Sequence, residues 1–384
     1  MVKKLICAFF SVFIFLTIFG PNVLAQNSQD EPLVKPSKEE ILRAQVIEIQ
    51  NEGQKEIVGK IYPFQLVKVK FLEGSENGRE LVINHGEKFS ISESQKVKKG
   101  EKIVIVKLTT QFGDQVNTDF QIIDKYRLPQ IAAITLIFAV LVLVLSRLRG
   151  FGSLLGLALS LLVIVKFIVP QILAGRDPLL VIIAGAFFIM LTTIYLAHGF
   201  SRRTTIALVS TTITLIVVVL LSVLFVDLTN LSGLGNEDAG ALRFGGQTAN
   251  INFRGLFLGG IIIGALGVLD DITTSLSASV FELKRANNGL KFKQLVTSGF
   301  AIGREHISSL VNTLLLAYAG ASLPIFLFIV LNPTNQPMWF ILNSEIIMEE
   351  VVRTLAGSFG LVLAVPITTI LAASFVGKIK ETSK

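Results

Sequence analysis

Asp270 and Asp271 are the side chains best suited to chemistry, because two adjacent carboxylates close an apolar, glycine-rich run, GLFLGGIIIGALGVL. Ionisable groups in or beside such a segment are costly to keep there, which makes them functional candidates by default. If the helix continues past them, Asp271, Thr274, Ser275, Ala278 and Glu282 share one face, and Ile272, Leu276, Val280 and Leu283 share another. A small, hydroxyl-rich face ending in carboxylates can line a hydrated cavity and coordinate a cation or carry protons. The competing reading is an amphipathic helix on a membrane surface with its acids in water. A second group follows at GREHISSLVNT, where Glu305, Ser308, Ser309 and Asn312 face one way with His306 alongside. A histidine beside an acid can relay protons near neutral pH; a plain polar helix start competes with that role.

Other features support the same region. Gly255 and Gly259, and again Gly260 and Gly264, are four apart, with Gly267 three further on, a spacing that lets another helix approach closely. Pro170, Pro324 and Pro366 mark either kinks or a broken helix of the kind found at transport sites. His198 reads as a loop residue, and Thr204, Thr205, Thr211, Thr212 and Thr214 as hydroxyls satisfied on their own helix. Lys166 reads as a side chain that snorkels outward.

Several chemistries are excluded by what the sequence lacks. It has no phosphate-binding G-x-x-x-x-G-K and no H-E-x-x-H, since Arg304-Glu305-His306 lacks a second histidine. Aspartyl intramembrane proteolysis needs aspartates on two facing helices, and a serine membrane protease needs a histidine after its serine; neither is present. The single cysteine, Cys7, excludes an internal disulfide. No catalytic role, cofactor or metal is expected.

The elements that must position these residues are helices in a membrane. The chain is 51% hydrophobic and 16% charged, against about 25% charged in an ordinary soluble protein. A helix needs about 20 apolar residues to cross the hydrocarbon. Seven runs qualify: 128–146, 151–169, 179–197, 204–226, 253–269, 307–331 and 352–376. Cations fall in every second loop: Arg147 and Arg149; Arg202 and Arg203; Lys284, Arg285, Lys291, Lys293 and Arg304; Lys378, Lys380 and Lys384. The remaining loops are mixed or acidic, so the basic loops and the 377–384 tail are expected in the cytoplasm. The net charge of +7 is thereby accounted for without nucleic acid. On this reading Asp270 lies near the cytoplasmic end of the fifth span.

Before the helices, Lys3 and Lys4, an apolar run and a small residue at Ala25 read as a signal peptide over 1–25. Residues 26–40 read as a flexible tether. Residues 41–127 read as an exported β domain. Its strands alternate as Ile47 and Ile49 against Glu48 and Gln50, and as Val67, Val69 and Phe71 against Lys68 and Lys70. Further strands are expected at 81–84, 103–108 and 120–123, with turns at Asn51-Glu52-Gly53, Glu73-Gly74, Glu76-Asn77-Gly78 and Lys98-Lys99-Gly100-Glu101. Five short strands predict a small β-barrel, of OB or of SH3/lipoyl type.

Gly264-Ala265-Leu266-Gly267-Val268-Leu269-Asp270-Asp271, continuing through Ser277-Ala278-Ser279 and Glu282, resembles the YibE/F-like family of bacterial membrane proteins. The stretches from Leu234 to Leu242 and from Gly303 to Gly320, with Asn312-Thr313-Leu314, are similar to the same family. The family pattern has one acid where this chain has two. The resemblance runs from about Ala44 to Val376. It implies a permease-like multi-pass membrane protein with an exported β-rich region, and it names no substrate.

The expectation is thus an α-helical polytopic protein of the bacterial plasma membrane, N-terminal domain outside and C-terminus in the cytoplasm. It would carry an unknown small solute or ion, coupled to H⁺ or Na⁺ through the carboxylates. The alternative is a non-transporting scaffold whose exported domain binds an envelope protein.

Overall fold

The computed structural model describes residues 38–377, apart from 58, 88, 113–114, 245–247, 249 and 333–334. The signal peptide and most of the tether expected from the sequence lie outside these residues. The chain falls into two compact units that divide between Leu141 and Val142.

The first unit is built on one antiparallel sheet of β1 (Lys38–Ile57), β2 (Lys60–Phe71), β3 (Glu80–His85), β4 (Lys102–Phe112) and β5 (Gln115–Lys125), in the order β3-β2-β1-β4-β5. Alternation decides what is buried. Val67, Val69 and Phe71 on β2 meet Leu42, Ala44 and Val46 on β1, Ile83 on β3, and Ile103 and Ile105 on β4. The phase of β1 changes at register shifts between Val46 and Glu48 and between Ile49 and Asn51. The core therefore rests on Leu42, Ala44 and Val46, with Ile49 packed at its edge. Such bulges bend a strand and increase its twist.

Two sequence expectations are corrected here. The tether was expected to run to Glu40, but β1 begins at Lys38. Asn51-Glu52-Gly53 is not a turn: it lies inside β1, paired with Leu66, Gln65 and Phe64. The chain reverses instead before Lys60, with Gly59 at φ 71°, a value that favours glycine.

The second unit is helical. The first long helix, α1 (Leu128–Val163), has non-helical torsions at Arg147, φ 51° and ψ −128°. A π turn, Ile164–Ile168, leads into α2 (Val169–Leu173). Pro170 lies in its first turn, where its missing N–H removes a ladder bond. There follow α3 (Pro178–His198), α4 (Arg202–Thr229), the short α5 (Glu237–Phe244) and α6 (Phe253–Ala286). After them come α7 (Phe292–Ala321), α8 (Leu323–Leu331), α9 (Met338–Leu342) and α10 (Glu345–Gly377). Side-chain caps begin α3, α4, α5 and α6: Asp177, Ser201, Asn236 and Asn252 accept from the amides of Leu180, Thr204, Ala239 and Gly255.

Among the described residues five helices are long and apolar enough to cross a membrane, or six if the bent pair α7–α8 is taken as one. One of the five is the 46-residue run Leu128–Leu173, interrupted at Arg147. The expected run 307–331 is broken rather than continuous. α7 and α8 meet at 65° around Ser322, just before Pro324, which cannot continue the backbone ladder. Pro366 stays within α10. Past the expected run 253–269, α6 continues to Ala286, the continuation that the sequence pattern allowed. Ile272, Leu276 and Val280 bury the face that the sequence pattern had marked as apolar.

α6 packs against α3, α4, α7 and α10. Ile261, Ile262, Leu269, Ile272 and Leu276 are among its fully buried side chains. It is the central element of this unit, and Asp270 lies near the middle of the helix, seven residues before Ser277, whose hydroxyl donates to the Arg203 carbonyl at the start of α4.

Candidate functional site

One face of α6 stays open. Gly260, Gly264, Gly267, Asp271 and Ser275 are exposed, at steps of four, three, four and four, and so form one stripe along the helix. Glycine supplies most of its floor. At Gly264 a Cβ would lie 2.9 Å from the Tyr318 hydroxyl of α7, and at Gly260 3.3 Å from Nη1 of Arg353 on α10. Nothing lies within 4 Å of the same point at Gly267. The other glycines differ. Gly259 lets Ile182 of α3 approach to 2.0 Å of where its Cβ would be, and Gly255 has the Leu179 amide 3.5 Å away. The glycines grouped by spacing thus divide in two. Gly255 and Gly259 seat α3, while Gly260, Gly264 and Gly267 open the stripe.

At one end of the stripe, Arg353 lies over the Phe257 ring, 5.3 Å from its centroid, with Glu350 3.4 Å from its Nε. At the other end, His198 is near enough to Asp271 to act on its charge, without an ion pair between them among the described residues. Asp270 is half-buried; its Oδ1 has no hydrogen-bond partner among the described residues, while its carboxyl is a neighbour of the Thr193 side chain of α3. Ser275 Oγ and His306 Nε2 are 3.5 Å apart, a loose contact that joins α6 to α7. The arrangement offers a carboxylate with one unpaired oxygen beside the stripe, a second, exposed one within electrostatic reach of an imidazole, and a serine–histidine pair along a floor built mostly of glycine. It can coordinate a small cation or pass a proton between acid and imidazole.

The other candidates are placed differently. The Thr274 hydroxyl bonds back to the Asp270 carbonyl at 2.8 Å. Glu282 is exposed and stands 3.8 Å from both Arg203 and Arg285. Glu305, Ser309 and Asn312 are exposed on α7, and none joins Asp270. Of the second group, His306 alone meets the stripe. Thr211, Thr212 and Thr214 bond to carbonyls one turn back, as expected. Thr211 also meets Thr273 of α6 at 2.6 Å in the buried interior. Among the described residues no three His, Cys, Asp or Glu side chains converge to hold a metal.

His198, read as a loop residue, is the last residue of α3 and faces the site. Thr193, Tyr318 and Arg353 were also missed. Their roles arise from helices distant in sequence, and no local spacing marks them. A further cluster was read only as loop acids. Glu345 Oε1 accepts from the Ser232 amide and hydroxyl, both at 2.6 Å, and Glu349 Oε1 accepts from the Gly235 amide at 2.9 Å. Glu349 is 4% exposed, so these two acids fasten the loop after α4 to the first turns of α10.

Compared with known proteins, residues 134–378 match the family model described as YibE/F-like protein. The match begins inside α1 and leaves the sheet outside it. No curated protein and no solved structure matches the chain.

Proposed function

This chain belongs to the YibE/F-like protein family, and from that premise we propose that it is a plasma-membrane permease for a small solute or ion. It is coupled to H⁺ or Na⁺ through Asp270 and Asp271. Seven crossings follow if the 46-residue run is divided at Arg147 and α7–α8 counts as one broken span. Undivided, that run would be about 70 Å long, more than twice the hydrocarbon thickness. The alternation of basic loops supports a cytoplasmic C-terminus and an exported sheet.

The observation that carries the reading is the open glycine floor on the most enclosed helix, ending at Asp271. Beside the stripe, Asp270 keeps one buried oxygen without a hydrogen-bond partner among the described residues, which in hydrocarbon is expensive unless a proton or an ion satisfies it. In the proposed cycle Asp270 and Asp271 hold the cation or proton. Ser275, His306 and His198 supply the remaining ligands, and the loop fastened by Glu345 and Glu349 lies at the outer end.

The test is proton or sodium flux in proteoliposomes. Asp270→Asn and Asp271→Asn should each abolish it, with expression and thermal unfolding unchanged. If the wild type carries neither ion, and removal of residues 26–127 abolishes the cellular phenotype, the scaffold reading replaces this one. One feature favours that second reading. The strand order, with β3 and β5 at the two edges, is that of an OB-type barrel. A cavity of about 220 Å³ lies between those strands and is lined by Val82, His85, Phe89 and Phe120. An extended segment of an envelope protein is the occupant such a seam suits.

A further inference from the structure

α7 carries a polar seam that this chain leaves unanswered. Its inner face is fixed by contacts. Gly303 lets Val365 of α10 approach to 2.3 Å of its Cβ position, Gly299 does the same for Thr369 at 2.6 Å, and His306 faces Ser275. Ala301, Glu305, Ser308, Asn312 and Leu315 lie on the opposite face, and all are exposed. They are spaced four, three, four and three apart, the heptad rhythm of a helix that packs against a near-parallel neighbour.

The height of the seam matters as much as its direction. α7 runs antiparallel to α6, with Gly299 beside Val280, His306 beside Ser275 and Tyr318 beside Gly264. Asn312 therefore lies level with Asp270, seven residues (~10 Å) short of Ser277, whose hydroxyl donates to the Arg203 carbonyl at the start of α4. No hydrogen bond holds the Ser308 hydroxyl or the Asn312 amide among the described residues. In a bilayer these groups would face hydrocarbon, where donors and acceptors seek partners on another helix.

We propose that α7 forms the interface of a symmetric homodimer, in which this seam meets the same seam of a second copy. The proposal rests on the helices lying in a membrane, not on transport. A second copy is the occupant that the chemistry favours. An amide or hydroxyl is donor and acceptor at once, so Asn312 and Ser308 can each pair with themselves across a two-fold axis. A single asparagine in such a seam also fixes register and oligomer state. Ala301 and Ser308 are small enough for close approach. Glu305 stands beside His306, at the level of Ser275 and close to that of the Arg203 carbonyl, at the basic-loop end of the seam where water can reach it. The chain's own 128–146 segment is a poor substitute, because its polar side chains Gln130, Thr135 and Ser146 are too far apart to follow the seam.

Cysteine crosslinking in native membranes tests the proposal. In a full-length chain carrying Cys7→Ser, Asn312→Cys and Ser308→Cys should each give a disulfide-linked dimer on mild oxidation. Leu220→Cys, on an exposed face of α4 (66% exposed), should not. Asn312→Leu in the otherwise native chain should weaken dimerisation by about tenfold in analytical ultracentrifugation, which guards against an oxidation artefact. The proposal falls if neither seam cysteine crosslinks, if Leu220→Cys crosslinks equally, or if the product contains a different protein. A wild type that sediments as a monomer at every concentration also overturns it. Release of the wild type by alkaline carbonate would remove the membrane premise and the interface with it. Loss of flux alone bears only on the transport reading.

Discussion

Gly259 and Gly267 sit on the same helix and face opposite demands. A side chain at Gly259 must displace Ile182, whose Cδ1 is 2.0 Å from the Cβ position; one at Gly267 meets nothing within 4 Å. Gly259→Val should lower stability by about 1–3 kcal/mol, the usual cost of overpacking. Gly267→Ala should raise it by up to about 1 kcal/mol, because alanine is the better helix former. Thermal unfolding of the purified chain checks both. If the stripe is a passage, Gly267→Ala also slows flux while stabilising the fold, a combination that plain packing does not produce. The residue scale is also where the sequence was least legible. Asp270, Asp271 and Ser275 were found because they are near neighbours on one helix. His198, Thr193, Tyr318 and Arg353 became visible once tertiary packing brought α3, α7 and α10 to α6. Glu305 and Asn312 were grouped with His306 by spacing alone; a helix face reveals which residues align, not which neighbour they meet.

Arg147 is the clearest strain at the scale of elements. A φ of 51° is uncommon for any residue with a Cβ and unforced for glycine. Arg147→Gly should relieve about 1–3 kcal/mol of local strain, and Arg147→Val should destabilise; thermal unfolding in the same detergent separates them. If both variants unfold below the wild type, the side chain contributes more than its backbone costs. Most element types were legible from period. The strands of the sheet follow alternation, and the extension of α6 follows the apolar face through Ile272, Leu276 and Val280. The failures have local causes. Asn51-Glu52-Gly53 has turn chemistry, but the β1–β2 ladder continues through it to the pair Ile57 and Lys60. The 307–331 run is uniformly apolar at its end, so hydropathy passed over the 65° break that Pro324 accompanies.

Sidedness belongs to the whole molecule. Cysteines placed near Glu237 and near Gly289, in a Cys7→Ser chain, should report opposite compartments. An impermeant thiol reagent on intact cells should label the first and spare the second. Labelling near Gly289, or protection of a Glu237 site that reacts in broken cells, would reverse the orientation proposed for every residue of the stripe. The same two-part division explains why hydropathy and charge carried the architecture so far. Charged residues crowd the sheet and loops, while each long apolar helix holds an 18-residue window with at most 2 of them.

The grip of Glu345 on Ser232 and of Glu349 on Gly235 has one more consequence. Each carboxylate turns one oxygen, Oε1, to the loop while it is held down. Lifting the loop would uncover two anions in the same motion. If the proposed permease reading holds, such a doorway becomes attractive to cations only as it opens, so recruitment and admission would be a single event.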